Sequence, residues 1–161
     1  MDNTSLFMDN LMIFGAEYVI YLTLILVFII SLKGGVKERK SLILFLVSLP
    51  IIILIIKTIH LFYFEQRPFV EQDLIPLVSH KADASFPSRH ASIMVAIAFS
   101  YIFFKSRWYI LLILLAIWVG VSRVYVGVHY PIDILGALVV GFVAVLVSRQ
   151  IIRLLKARLL Q

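Results

Sequence analysis

Five stretches of this chain are apolar for about the length an α-helix needs to cross the hydrocarbon of a bilayer, roughly 20 residues. They run from about Leu11 to Leu32, Leu42 to Phe64, Ser88 to Phe104, Tyr109 to Val126 and Ile132 to Ile152. The third is the shortest and is expected to start within the interface, and Pro50 is expected to kink the second. Of 161 residues, 62% are hydrophobic and only 15% charged, more apolar surface than a soluble domain of this size can hide. The expected fold is therefore all-α: an integral membrane helical bundle of about five transmembrane helices, in a single domain over residues 1–161. The segment from Met1 to Asn10 carries Asp2 and Asp9 but no Lys or Arg. It lacks the basic start of a signal peptide, so the first apolar run reads as a retained helix. Leu6, Phe7 and Leu11 suggest a short amphipathic segment ahead of that run. No internal repeat, low-complexity tract or linker interrupts the chain.

The charges follow the apolar pattern. A net charge of +6 invites a nucleic-acid reading, but the basic residues sit in short clusters between apolar runs, as in a membrane protein. Lys33, Lys37, Arg39 and Lys40 separate the first two runs, Lys105 and Arg107 the third and fourth, and Arg149, Arg153, Lys156 and Arg158 follow the fifth. All three groups fall on one side, which should be cytoplasmic. The opposite side holds Arg67, Lys81, Arg89 and Arg123 together with His60, His80, His90 and His129. Arginines there work against orientation, so their presence asks for another reason. The absence of cysteine excludes disulfides, thiolate catalysis and cysteine metal sites.

Three segments converge on that outer side: Phe64–Phe69, Ala84–His90 and Ser122–Asp133. Pro87 and Pro131 stand near the first turns of the helices that follow, where a missing N–H costs nothing. Two helix N-termini thus point at one aqueous pocket, a favourable place for an anion. Asp133 lies four residues after His129, where it can fix the imidazole tautomer and favour the charged ring. Arg123 ends an apolar run, and an arginine at such depth ordinarily faces a pocket. Arg67 and Arg123 suit bidentate contact with phosphate, Arg89 adds charge, and all three would stabilise a phosphoryl group in transfer. Two histidines remain for chemistry: His129, oriented by Asp133, suits a nucleophile, and His90 suits an acid.

These segments resemble the three signature motifs of the type 2 phosphatidic acid phosphatase (lipid phosphate phosphatase) superfamily. Arg67-Pro68 matches the end of the first, Pro87-Ser88-Arg89-His90 the second, and Ser122-Arg123, His129 and Asp133 the third. Tyr63-Phe64-Glu65, Arg67-Pro68-Phe69-Val70 and Ala82–Ser88 are most similar to the bacterial BcrC-like undecaprenyl-diphosphatase branch. The resemblance implies hydrolysis without metal or cofactor. It makes His129 the residue that becomes phosphorylated and His90 the proton donor to the leaving group, with Arg67, Ser88 and Arg123 holding the phosphate. Two positions depart from the pattern. The superfamily's lysine seven residues before the first-motif arginine is here His60, and Lys57 lies one turn deeper, within snorkelling reach. The variable position of the second motif is Arg89, which either favours a diphosphate or faces solvent.

Blander readings stand beside these. His129 and Asp133 also read as a helix-cap pair, Arg67 as an interfacial anchor, Glu65 as its support, and His80 as a solvated loop residue. Phe62, Tyr63, Phe64, Trp108, Tyr109, Tyr125 and Tyr130 read as an interfacial belt. The expected function is hydrolysis of undecaprenyl diphosphate at the outer leaflet, with the bilayer and a polyprenyl or phospholipid phosphate as partners and no nucleic acid. The alternatives are a phosphatidylglycerophosphate or phosphatidic acid phosphatase, a vanadate-holding oxidant, and, more remotely, a transporter of a phosphate-bearing ion. A transporter finds little support, because the cationic cluster does not continue across the membrane.

Overall fold

The computed structural model describes residues 3–73 and 75–159; Asp2, used above, lies outside them. Every regular element among the described residues is helical: α1 (Asn3–Glu17), α2 (Val19–Lys33), α3 (Val36–Phe62), α4 (Pro68–Glu71), α5 (Arg89–Phe103), α6 (Tyr109–Tyr125) and α7 (Pro131–Leu159). At 27 and 29 residues, α3 and α7 are long and apolar enough to span a bilayer. α5 and α6 are shorter apolar helices of 15 and 17 residues, and α5 extends about 22 Å at 1.5 Å per residue.

The first expected span is not one helix. It breaks at Tyr18, where α1 and α2 meet at a 53° bend. Arg123 supplies a physical reason. Its guanidinium is 1% exposed, and NH1 donates to the Ala16 carbonyl at 3.5 Å and lies 3.7 Å from Glu17 Oε1. The bend thus sets an acceptor and a counter-charge at the end of α1 against a buried cation. Leu6, Phe7 and Leu11 fall within α1 rather than in a separate segment, and Leu6 and Phe7 are exposed, while further along α1 Met12, Ile13 and Ala16 join Val78, Val126, Val128 and Phe69 in a small apolar cluster.

α5 is the central element and packs against α3, α6 and α7. Small residues Ala91, Ser92, Ala96, Ala98 and Ser100 stud its buried face. Against it lies Gly141 of α7, where an added Cβ would fall 2.7 Å from the Ser92 carbonyl and from Val95. Such contacts let helices approach closely where water offers no drive to associate them. Phe45, Ile52, Met94, Ile97, Tyr101 and Leu112 fill the remaining core. α3 runs through Pro50 without a break.

The three basic clusters gather at one end of the bundle. Glu38 clasps that end, accepting from Gly35 N and Ser106 Oγ, both at 3.1 Å. Arg149 stacks over Phe103 at 3.9 Å. α3 starts about a turn and a half before the expected Leu42, and α7 runs on past the expected Ile152. Their charged turns remain helical although they are not apolar.

Candidate active site

The opposite end is built from the α3–α5 connection and the α6–α7 turn. Gly127, at φ +80°, reverses the chain after α6, a conformation glycine adopts without a Cβ clash. Pro131 then opens α7. Asp133 Oδ2 reaches back to the Tyr130 N–H at 2.9 Å, as the third residue of a helix does in a capping box. The same oxygen accepts from His129 Nδ1 at 3.0 Å and from Ser85 Oγ. The capping and orienting readings of Asp133 are therefore one arrangement.

His129 is 3% exposed and tied at both nitrogens. Because Nδ1 donates to a carboxylate, Nε2 carries the lone pair, and Arg67 NH1 donates to it at 3.2 Å. Burial pushes the imidazole down to about 4, with Arg67 and Arg123 adding to the effect and Asp133 opposing it. Asp133 fixes the tautomer and favours the charged ring as expected, but burial and two guanidiniums outweigh it and keep the ring neutral.

Arg67 is 2% exposed. Its NH1 donates to Val128 O at 2.8 Å, NH2 to Ala84 O at 3.3 Å, and Nε to Asp83 Oδ1 at 2.9 Å. Its carboxylate partner is thus Asp83 rather than Glu65, whose backbone carbonyl instead accepts from Ser85 N at 2.9 Å. Burial works against the Asp83 carboxylate, but Arg67 and Arg89 outweigh it and hold it below the usual range.

Ser88 caps α5 by position only. Its N–H donates to Asp133 O at 3.2 Å, while its buried Oγ has no protein partner. Arg123 likewise keeps Nε and NH2 buried and unpartnered. His90, in the first turn of α5, lies within electrostatic range of Arg123, His129 and His80. Arg89 is not drawn into the buried cluster: it is 59% exposed and pairs with Asp83 Oδ2 at 2.8 Å.

Sequence reasoning missed three residues. His80 reads as solvated but is 16% exposed and stands edge-on to His129, ring centroids 6.4 Å apart. Ser85 and Asp83 lie just before Phe86-Pro87 and carried no role, although one braces Asp133 and the other Arg67. Among the described residues, no three or more His, Cys, Asp or Glu side chains converge as metal ligands would.

The PAP2 superfamily model matches residues 18–156, which include every residue of the cluster. The chain belongs to the PAP2 superfamily. With helices long and apolar enough to span a bilayer, it is a membrane phosphatase of that family. This PAP2 chain is 36% identical to the undecaprenyl-diphosphatase BcrC of Bacillus subtilis, over 84% of its own length and 70% of that protein's. The crystal structure of Aquifex aeolicus LpxE shares its fold, with a TM-score of 0.66 at 21% identity over 93% of this chain and 87% of that one. A transmembrane PAP2-type phosphatidylglycerolphosphate phosphatase from Bacillus subtilis superposes with a TM-score of 0.57 at 25% identity, covering 89% and 74% of the two chains.

Proposed function

We propose that the chain, acting as one domain, hydrolyses undecaprenyl diphosphate to undecaprenyl phosphate and inorganic phosphate at the extracytoplasmic face of the cell membrane. One observation carries this reading. Around the neutral His129, buried groups are left without partners: Arg123 Nε and NH2, with Arg123 within electrostatic range of the ring, and the hydroxyl of Ser88, whose N–H donates to Asp133 O. Donors of this kind are costly to bury unpaired, and the oxygens of a phosphoryl group match them. Similarity to the Bacillus subtilis undecaprenyl-diphosphatase over most of both chains supports the choice of substrate.

The reaction proceeds in two displacements. His129 Nε2 attacks the terminal phosphorus, the bond to the bridging oxygen breaks, and His90 gives its proton to that oxygen as lipid monophosphate departs. Water then attacks the phosphohistidine, its proton passes to His90, and the P–N electron pair returns to Nε2 as inorganic phosphate leaves. Ser88 and Arg123 hold the equatorial oxygens, joined by Arg67 as its NH1 turns from Nε2 to a phosphoryl oxygen and frees the lone pair for attack, and together they stabilise the charge there. Asp133 and Ser85 hold the ring in its reactive tautomer.

A second reading, a phosphatidylglycerophosphate or phosphatidic acid phosphatase, draws support from the 25% identical transmembrane phosphatase. One assay separates them. Purified protein is incubated with each of the three lipids, with and without a chelator, and released phosphate is measured. Undecaprenyl diphosphate should be the preferred substrate, and chelation should leave the rate unchanged. Release from none of the three would sink the reading, and so would full activity in His129→Ala.

A further inference from the structure

The groove between α3 and α5 combines an apolar depth with a cationic rim. Ile52, Ile53, Ile56 and Ile93 line its depth, and Lys57, His60 and Arg89 line its rim, around about 490 Å³. Lys57 sits about 7.5 Å below the end of α3 at 1.5 Å per residue. It is exposed and has no ion-pair partner among the described residues. A lone ammonium at that depth is costly unless it meets an anion or reaches the interface.

His60 occupies the position where the wider superfamily carries lysine, yet it does not reach the buried cluster. Its Nε2 donates to the Phe86 carbonyl at 3.0 Å, so it anchors the turn that leads into α5. Lys57, and the guanidinium nitrogens of Arg89 other than the NH2 that meets Asp83, remain for a ligand. Arg89 joins the rim to the cluster through a single carboxylate: Asp83 Oδ2 accepts from Arg89 NH2 at 2.8 Å, and Oδ1 accepts from Arg67 Nε at 2.9 Å. The rim is thus one side chain removed from the proposed phosphoryl-transfer residues.

We infer that this groove is a second substrate subsite, in which Lys57 and Arg89 clamp the phosphate that stays on the lipid while the isoleucine walls hold its isoprenoid chain. The inference rests on the lipid-diphosphate reading above. It follows from charge and geometry together. A diphosphate carries one anionic group beyond the phosphoryl group in the buried cluster, and that group lies on the lipid side of the bond that breaks. Two cations above an apolar groove match a phosphate with a hydrocarbon tail. The clamp also stabilises the departing lipid monophosphate, so it favours diphosphates over monoesters.

Direct binding to the purified full chain in detergent tests this. Farnesyl monophosphate probes the groove and rim, and inorganic phosphate probes the buried cluster. Lys57→Ala and Arg89→Ala should each raise the Kd of farnesyl monophosphate by about tenfold, as expected for one charge-assisted contact, and leave the Kd of inorganic phosphate unchanged. Lys57→Arg should restore farnesyl monophosphate binding. Ile53→Trp should weaken binding of farnesyl monophosphate but not of isopentenyl monophosphate. Equal effects on both probes, or no effect on either, would overturn the second subsite. A wild-type protein that releases no phosphate from farnesyl diphosphate would instead sink the diphosphatase reading, a result independent of the binding ratios.

Discussion

At the scale of single residues, the site is decided by competing influences on His129. Asp133 accepts from Nδ1, but burial beside Arg67 and Arg123 governs the charge, and the ring is held down at about 4. In the proposed mechanism the neutral form attacks and the protonated form cannot. Phosphoenzyme formation should therefore be insensitive to His129 at neutral pH and fall as pH drops through about 4. Initial rates of phosphate release from about pH 3 to 9 would show this limb. An acid limb near the ordinary histidine value of about 6.5 would contradict the desolvated setting. Asp133→Asn keeps the shape but presents an amide to three donors, Tyr130 N, His129 Nδ1 and Ser85 Oγ. The expected loss in kcat is about ten-thousandfold, as for the orienting aspartate of a serine-protease triad whose replacement by asparagine releases the wrong tautomer. A near-normal KM would show that the phosphate residues remain in place. His129, Asp133, Arg67, Ser88 and Arg123 could be picked out from their spacing because each lies in a short motif. His80, Ser85 and Asp83 could not, because their roles come from a loop folding back over the α6–α7 turn, which leaves no periodic trace.

At the scale of elements, the bundle places its chemistry by close approach of helices. α5 brings His90 and α7 brings Asp133, and the two helices meet where Gly141 faces the Ser92 carbonyl and Val95. Gly141→Val should force them apart at a cost of about 1–3 kcal/mol. Thermal unfolding in detergent would register the loss, and activity should fall with it, because His90 and His129 must face one phosphorus. The hydropathy of the sequence located every apolar element but misjudged two kinds of boundary. α3 and α7 are longer than their apolar cores because charged turns at the basic end remain helical. The run from Leu11 to Leu32 is uniform in hydropathy, so the break at Tyr18 is invisible in it. The break answers to Arg123, which lies 105 residues further along the chain.

At the scale of the whole molecule, three basic clusters share one end and the buried cluster occupies the other, so the proposed orientation of the protein fixes that of its site. The chain contains no cysteine, so single introduced thiols report position cleanly. With the site extracytoplasmic, Lys81→Cys should react with a membrane-impermeant maleimide in intact cells, and Lys156→Cys only after permeabilisation. The opposite pattern would reverse the assigned orientation.

Sequence alone determined that the chain is a helical membrane protein whose family motifs fall on one side. Both properties are written locally, in runs of apolar residues and in motifs a few residues long. Only the tertiary structure decided which carboxylate holds Arg67, that His129 rests neutral, that Arg89 lies outside the buried cluster and that Lys57 lines a groove. Those outcomes depend on desolvation and on contacts between residues far apart in the chain, and neither quantity exists until the helices pack.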